Sequence, residues 1–234
     1  MPKHVHSIFF ALESLREALE LLKKMRWDFS LLAFEYMSQK CLDLVLQHPH
    51  LRSPFQETFQ TYVLVKTENV SLLELEKWLD QKCEQQCFKD AFLAKNTQEE
   101  FNIWALRERI TESLAQRGFV HKSDLAVPVG ELAAFEQDLI SLMSHIAPEL
   151  ELFIFGHLGD GNLHINLLKP ESLEKADFLS LCSQIDLELY QLIQQYQGSV
   201  SAEHGIGLLK KNALSYSRTP LEIQYLKNLK KLFD

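Results

Sequence analysis

Residues 151–169 read ELFIFGHLGDGNLHINLLK, two apolar runs separated by the pair Asp160-Gly161. An Asp-Gly pair in this setting signals a two-residue hairpin, because a type I′ turn needs positive φ at both central positions. With that turn, Gly159 faces Asn162, Leu158 faces Leu163, and His157 faces His164. Directly opposed residues carry Cβ atoms about 4.5–5.5 Å apart on one face of the sheet. Two imidazoles so placed can chelate one ion, and Asn166, two residues beyond His164, shares their face. The blander reading is a hairpin whose histidines stack on each other or face water.

A third candidate ligand lies downstream, in residues 199–207, SVSAEHGIG. A strand predicted over 199–203 ends at Glu203 and His204 and runs into a Gly-rich turn, where a carboxylate and a base can be exposed to a cleft. Two histidines and one carboxylate that leave coordination positions open suit a catalytic Zn²⁺, with Fe²⁺ or Mn²⁺ as alternatives. The spacing does not choose among them.

Around these segments the chain alternates short β-rich runs with amphipathic helices. Strands are expected over 5–12, 31–36, 61–66, 87–94, 121–127, 152–157, 162–168 and 199–203. Capping boxes at Ser14/Glu17, Ser71/Glu74, Thr97/Glu100 and Thr219/Glu222 mark helix starts, and Pro220 strengthens the last. In the second half, helices near 130–146 and 172–197 give the order strand, helix, strand, strand, helix, strand of a split βαβ unit. The first half shows the same order if a helix over 38–48 is an insertion. The expected fold is therefore α+β, a duplicated ferredoxin-like unit with a mainly antiparallel sheet and packed helices. Its first half is about 1–95, a connecting helix about 97–118, and its second half about 119–234.

At 234 residues, 46% hydrophobic and 24% charged, the composition is that of an ordinary globular protein. A net charge of −8 argues against general nucleic-acid binding. The N-terminus, MPKHVHSIFF, has no long apolar h-region, and no stretch approaches the roughly 20 apolar residues of a membrane span. Four cysteines are sparse for a disulfide framework and read as reduced thiols, so a cytoplasmic location, at most peripheral to a membrane, is expected. Cys83 and Cys87 sit at helical spacing without a second ligand pair and read as helix residues. With eight glycines and no GxGxxG or P-loop, no nucleotide site is apparent.

Taken together, GHLGDGNLHIN and SAEHGIG resemble the C-terminal domain of FAD-linked oxidases of the vanillyl-alcohol oxidase superfamily. That group includes D-lactate dehydrogenases, glycolate oxidase flavin subunits and D-2-hydroxyglutarate dehydrogenases. The likeness extends through WALRERITESL (104–114) and FVHKSDLAVPV (119–129), and these blocks are most similar to the D-2-hydroxyglutarate dehydrogenase branch. The resemblance implies His157, His164 and Glu203 as metal ligands and His204 as general base. It implies Asn166, Arg107, Thr111 and Lys122 as substrate contacts, the last three for carboxylate. Arg107 and Thr111 at i,i+4 on one helix would point into one cleft; taken alone, Arg107 would pair with Glu100 or Glu108 and Lys122 would be a surface lysine. Glu35, in FEYMS, also fits the family pattern but receives no role from the sequence.

The resemblance further implies oxidation of a D-2-hydroxyacid to the 2-oxoacid by hydride transfer to FAD, with electrons leaving to an acceptor such as a quinone or an electron-transfer flavoprotein. No segment resembles the family's FAD-binding domain. The flavin is then expected on a separate domain, in the same full-length chain or another subunit, and this chain alone is expected to be inactive. Two readings compete: a metal-dependent hydrolase using Glu203 or His204 to activate water, and a non-catalytic ferredoxin-like binding module.

Overall fold

A computed structural model describes residues 4–233. In chain order the elements are β1 (His6–Leu12), α1 (Leu15–Asp28), β2 (Ser30–Ser38), α2 (Gln39–Val45), β3 (Thr61–Glu68), α3 (Leu72–Glu84) and β4 (Asp90–Leu93). There follow α4 (Thr97–Glu108), α5 (Ile110–Arg117), β5 (Val120–Ala126), α6 (Leu132–Ile146), β6 (Glu151–His157), β7 (Asn162–Leu168), α7 (Lys175–Gln195) and α8 (Pro220–Phe233). The strands form one sheet in the order β4-β1-β3-β2-β6-β7-β5, with every pairing antiparallel. This is an α+β architecture. None of its helices, among the described residues, is long and apolar enough to cross a membrane.

Helix starts follow the cap chemistry with one displacement. Ser71 and Glu74 form a reciprocal box, and Thr219 and Glu222 exchange the same pair of bonds ahead of Pro220. Ser14 accepts the Glu17 N–H, while the Glu17 carboxylate reaches back to Glu13 rather than to Ser14. At α4 the cap is Asn96, not Thr97: its side-chain oxygen accepts the Glu99 N–H at 3.0 Å. Asn outranks Thr as an N-cap, and the extended backbone at Asn96 lets it win.

The period-2 alternation of the strands sorts the core into two layers. On one face Ile8, Phe10, Phe34, Val63, Ile154 and Ile165 pack under α1, α3, α6 and α7. On the other, Phe9, Met37, Leu64, Phe153 and Phe155 pack under α2, α4 and α5. The second layer draws most of its strand residues from β1, β2, β3 and β6, with Leu168 of β7 buried in it and Val120 of β5 partly buried against it. At that corner the same face carries His164, Asn166, Asp124 and Lys122, paired across β5 and β7 as Asp124↔His164 and Lys122↔Asn166. This corner of the sheet is thus polar, as is a smaller patch on the same face where Ser7 and Lys66 meet Glu100 and Trp104 of α4.

Three expected elements differ. The hairpin is not a two-residue type I′ turn: a single 3₁₀ turn covers Leu158–Asp160, and only Gly161 takes positive φ, at +73°. The register places Phe155, not His157, opposite His164. Leu158 is fully buried in the core, and burying that side chain outweighs the tight turn. The shift is by two residues, so both histidines keep the same face. The strand expected over 199–203 shrinks to a single bridge, Ser199 to Ala126, because the next amides bond to side chains instead, Val200 to the Ser217 hydroxyl, Ser201 to the Ser199 hydroxyl and residues 202–204 to the Asp124 carboxylate. The strand expected over 87–94 begins only at Asp90, since the chain at 85–87 is still closing α3, with the Cys87 N–H bonded to the Lys82 carbonyl.

The Gly161 conformation fixes the hairpin. A Cβ there would lie 2.1 Å from the Val127 carbonyl oxygen, and the Gly161 carbonyl accepts the Val127 N–H at 3.0 Å. Gly161→Ala combines a left-handed backbone penalty of about 1–2 kcal/mol with a backbone clash. In denaturant unfolding it should cost about 2–4 kcal/mol. Gly130→Ala, with nothing within 4 Å of the new Cβ, should stay within about 0.5 kcal/mol of the parent. Equal stabilities for the two variants would contradict this account of the turn.

Candidate metal centre

The polar corner gathers side chains from β2, α4, β5, β6, β7 and the loop after Ser199. His157, His164 and Glu203 each offer one ligand atom, and these atoms lie within 4.8 Å of one another. The imidazole rings sit 5.2 Å apart, nearly perpendicular. His157 reaches the site from the end of β6, His164 from the start of β7, and Glu203 from a loop. The Glu203 carboxylate accepts from the Asn162 amide at 2.5 Å, and His157 Nε2 lies 3.1 Å from the same oxygen.

Behind His157 stands Glu35, its direct partner across the β2–β6 pairing. His157 Nδ1 lies 2.7 Å from one Glu35 oxygen, while Arg107 Nη2 lies 2.9 Å from the other. The hydrogen bond to Glu35 is the main influence that raises the His157 pKa, against burial. His164 moves the other way, because burial and the charges of Arg107 and His157 disfavour a second imidazolium. It is the more readily deprotonated of the two, and a metal ligand must be the neutral ring.

Asp124 organises the loop. One of its oxygens accepts the N–H groups of Ala202, Glu203 and His204 at 3.1, 2.9 and 3.4 Å. Burial pushes its pKa upward, but those amide bonds, with His164 and His204 nearby, bring it below the ordinary carboxylate range. His204 itself is open to solvent, 73% exposed, with Nδ1 3.6 Å from Asp124.

The carboxylate-binding candidates are spread differently from the sequence expectation. Arg107 is mostly buried, stacked 4.7 Å over the Phe155 ring, and its Nε has no hydrogen-bond partner. The expected single helix over 97–117 breaks at Arg109, which ends α4 and begins α5. Arg107 and Thr111 therefore sit on different helices, and Thr111 is exposed. Lys122 is exposed on β5 across from Asn166, whose buried amide nitrogen is also without a partner. Seven buried side-chain atoms lack a hydrogen bond among the described residues. Five of them, on Glu35, Arg107, Asp124, Asn162 and Asn166, belong to this corner, the Glu35 oxygen being the one ion-paired to Arg107 Nη2. Buried polar groups are ordinarily satisfied, so such a concentration marks a place built to meet something polar.

Sequence reasoning missed the roles of Glu35, Asp124 and Asn162. A signal existed for the first two: each is a lone acid in a strand otherwise apolar along its buried stretch, and acids are almost never buried unpaired.

Comparison with known proteins finds relatives that cover the whole of this chain. The D-2-hydroxyglutarate dehydrogenase of Stutzerimonas stutzeri (strain A1501) is 33% identical over 236 residues, covering 100% of this chain and 51% of that protein. The mitochondrial D-2-hydroxyglutarate dehydrogenase of Rattus norvegicus is 35% identical, covering 100% of this chain and 43% of that protein. The chain thus spans about half the length of the relatives it matches. Among solved structures, p-cresol methylhydroxylase with substrate bound superposes with a TM-score of 0.67 over 100% of this chain and 51% of that one. Its 9% identity makes this a likeness of fold alone. The family described as FAD linked oxidases, C-terminal domain, matches residues 1–234, and the chain belongs to that family.

Proposed function

We propose that this chain is the substrate- and metal-binding half of a flavin-linked D-2-hydroxyacid dehydrogenase, working against FAD held on a separate domain. The observation that carries this reading is the convergence of His157, His164 and Glu203 amid buried polar atoms that lack partners. The relatives' names add D-2-hydroxyglutarate as the first substrate to try.

The donor set fits a divalent ion. Two imidazoles and a carboxylate with positions left open suit Zn²⁺, and Mn²⁺ or Fe²⁺ are compatible. With Nδ1 facing Glu35, His157 has its Nε2 available as the ligand atom, and Glu203 already lies against it. A bound ion supplies positive charge that makes a coordinated hydroxyl more acidic. His204, exposed and steadied by Asp124, takes the hydroxyl proton as general base. Arg107 Nε and the Asn166 amide offer free donors to a carboxylate, and Lys122 adds a cation beside them. Thr111 can join them only from the start of α5. The flavin supplies the hydride acceptor. The polar corner, uncovered by α2, α4 and α5, is the surface we assign to the flavin domain.

The same reading takes the fold as a duplicated ferredoxin-like unit. In its support, β4-β1-β3-β2 of the first half has a counterpart in the order Ser199 bridge, β5, β7, β6 of the second, and the two meet at β2–β6.

Two measurements test the function. Zn²⁺ titration of the chain should give one site. His164→Ala and Glu203→Ala should lose it, and His204→Ala should keep it. Loss of zinc only in His204→Ala would reverse the assignments. Joined to the flavin-bearing half of a relative, the chain should let D-2-hydroxyglutarate, D-lactate or glycolate bleach the flavin. Metal removal should abolish that bleaching, and His204→Ala should slow it by about 10²–10⁴-fold. Undiminished bleaching after metal removal would exclude this mechanism.

A further inference from the structure

We infer that Glu35 and Asp124 are the positioning residues of this site: Glu35 dictates which nitrogen His157 presents, and Asp124 holds the loop that carries Glu203 and His204. This rests on the functional reading above for its purpose, but its geometry stands apart from any ion. Neither residue has a role in the sequence resemblance.

Glu35 is 8% exposed and lies between two donors. One oxygen receives His157 Nδ1 at 2.7 Å, and the other faces Arg107 Nη2 at 2.9 Å. A carboxylate is acceptor-only, so at His157 it fixes the proton on Nδ1 and leaves Nε2 as a lone pair. Arg107 supplies the opposite charge that a buried carboxylate needs beside it, at 2.9 Å. A carboxylate behind a ligating histidine both orients the ring and raises its basicity. The chain Arg107–Glu35–His157 therefore links a side chain proposed to hold substrate carboxylate with one proposed to hold the ion.

Asp124 does a different task. Its distance to His164 Nδ1, 3.5 Å, is too long for a good hydrogen bond, and the oxygen concerned has no hydrogen-bond partner. Its other oxygen gathers the three successive amides of residues 202–204. Those residues belong to no helix or strand, and the following Gly205 and Gly207 take positive φ. Without the carboxylate, the Glu203 and His204 N–H groups have no other acceptor among the described contacts, whereas Ala202 keeps a backbone bond to the Asp124 carbonyl.

The first test uses Glu35→Gln, which keeps shape and removes charge. A glutamine can give its oxygen to only one neighbour. Arg107 can only donate, so the oxygen turns to it and the amide NH₂ faces His157. That forces the ring proton to Nε2. Long-range ¹H–¹⁵N spectra of the metal-free chain, at alkaline pH where the ring is neutral, should show His157 as the Nδ1–H tautomer in the parent. In Glu35→Gln they should show the Nε2–H tautomer. Zn²⁺ affinity should fall about 10–100-fold in the variant. An unchanged tautomer with parental zinc affinity would overturn the role of Glu35. A parent chain that takes up no Zn²⁺ would remove the metal reading, and the tautomer measurement would still decide this one.

For Asp124, amide hydrogen exchange separates a local clamp from general stability. Asp124→Ala should speed exchange at Glu203 and His204 by about tenfold or more, while amides of β6 and β7 exchange as in the parent. Uniform acceleration across the sheet, or no change at the two loop amides, would overturn it.

Discussion

The Glu35 carboxylate is a buried acid between an arginine from α4 and a histidine from β6, and it sits on the strand that joins the two halves of the sheet. Only three residue pairs define that join: Glu35↔His157, Tyr36↔Gly156 and Met37↔Phe155. Ordinary packing would fill such a position with a hydrophobe, as Met37 and Phe155 do one step along. A charge here is tolerable only because it is paired on both sides, and removal of one partner from a buried pair typically costs about 3–5 kcal/mol. The position of α4, the orientation of the His157 ring and the β2–β6 register are therefore set together. A change at one propagates to the other two.

The site owes its existence to an incomplete cover. Helices α2, α4 and α5 bury the second face of the sheet over β1, β2, β3 and β6, and they stop short of β7 and β5. Where the cover ends, residues at the same alternating positions change from apolar to His164, Asn166, Asp124 and Lys122. The scaffold beneath remains rigid because its other face is packed by α1, α6 and α7. Functional side chains on strands backed by a full core are held more closely than side chains on loops. Glu203 and His204 do come from a loop, and the three amides bound to Asp124 compensate for that.

Much of this could be read in the residues themselves. Any turn that shifts the register by an even number of residues keeps both histidines on one face, and that parity survived a register error of two residues. The turn chemistry did not survive, because Asp160-Gly161 satisfies the local rule for a tight hairpin while burial of Leu158, a long-range effect, overrides it. The 199–203 segment misled for a related reason. Its composition suits a strand, but after Ser199 its amides find serine hydroxyls and then the Asp124 carboxylate, 78–80 residues away, instead of a neighbouring strand. The break at Arg109 left no mark in a sequence of good helix formers. Ligand types followed from local pattern, whereas the partners that fix them, Glu35 and Asp124, depend on pairings that only the folded sheet reveals.

The bond between Glu35 and His157 spans 122 positions of the chain. Contacts of such separation are made against a large loop-closure entropy and tend to be acquired late in folding. A nascent polypeptide emerging from its N-terminal end would display Glu35 and Arg107 long before any of the three ligand side chains existed beside them, and Glu203 would be the last to arrive. The ligand side chains all come from the second half of the sheet, but the Glu35 carboxylate behind His157 arrives only when the two halves have closed on each other.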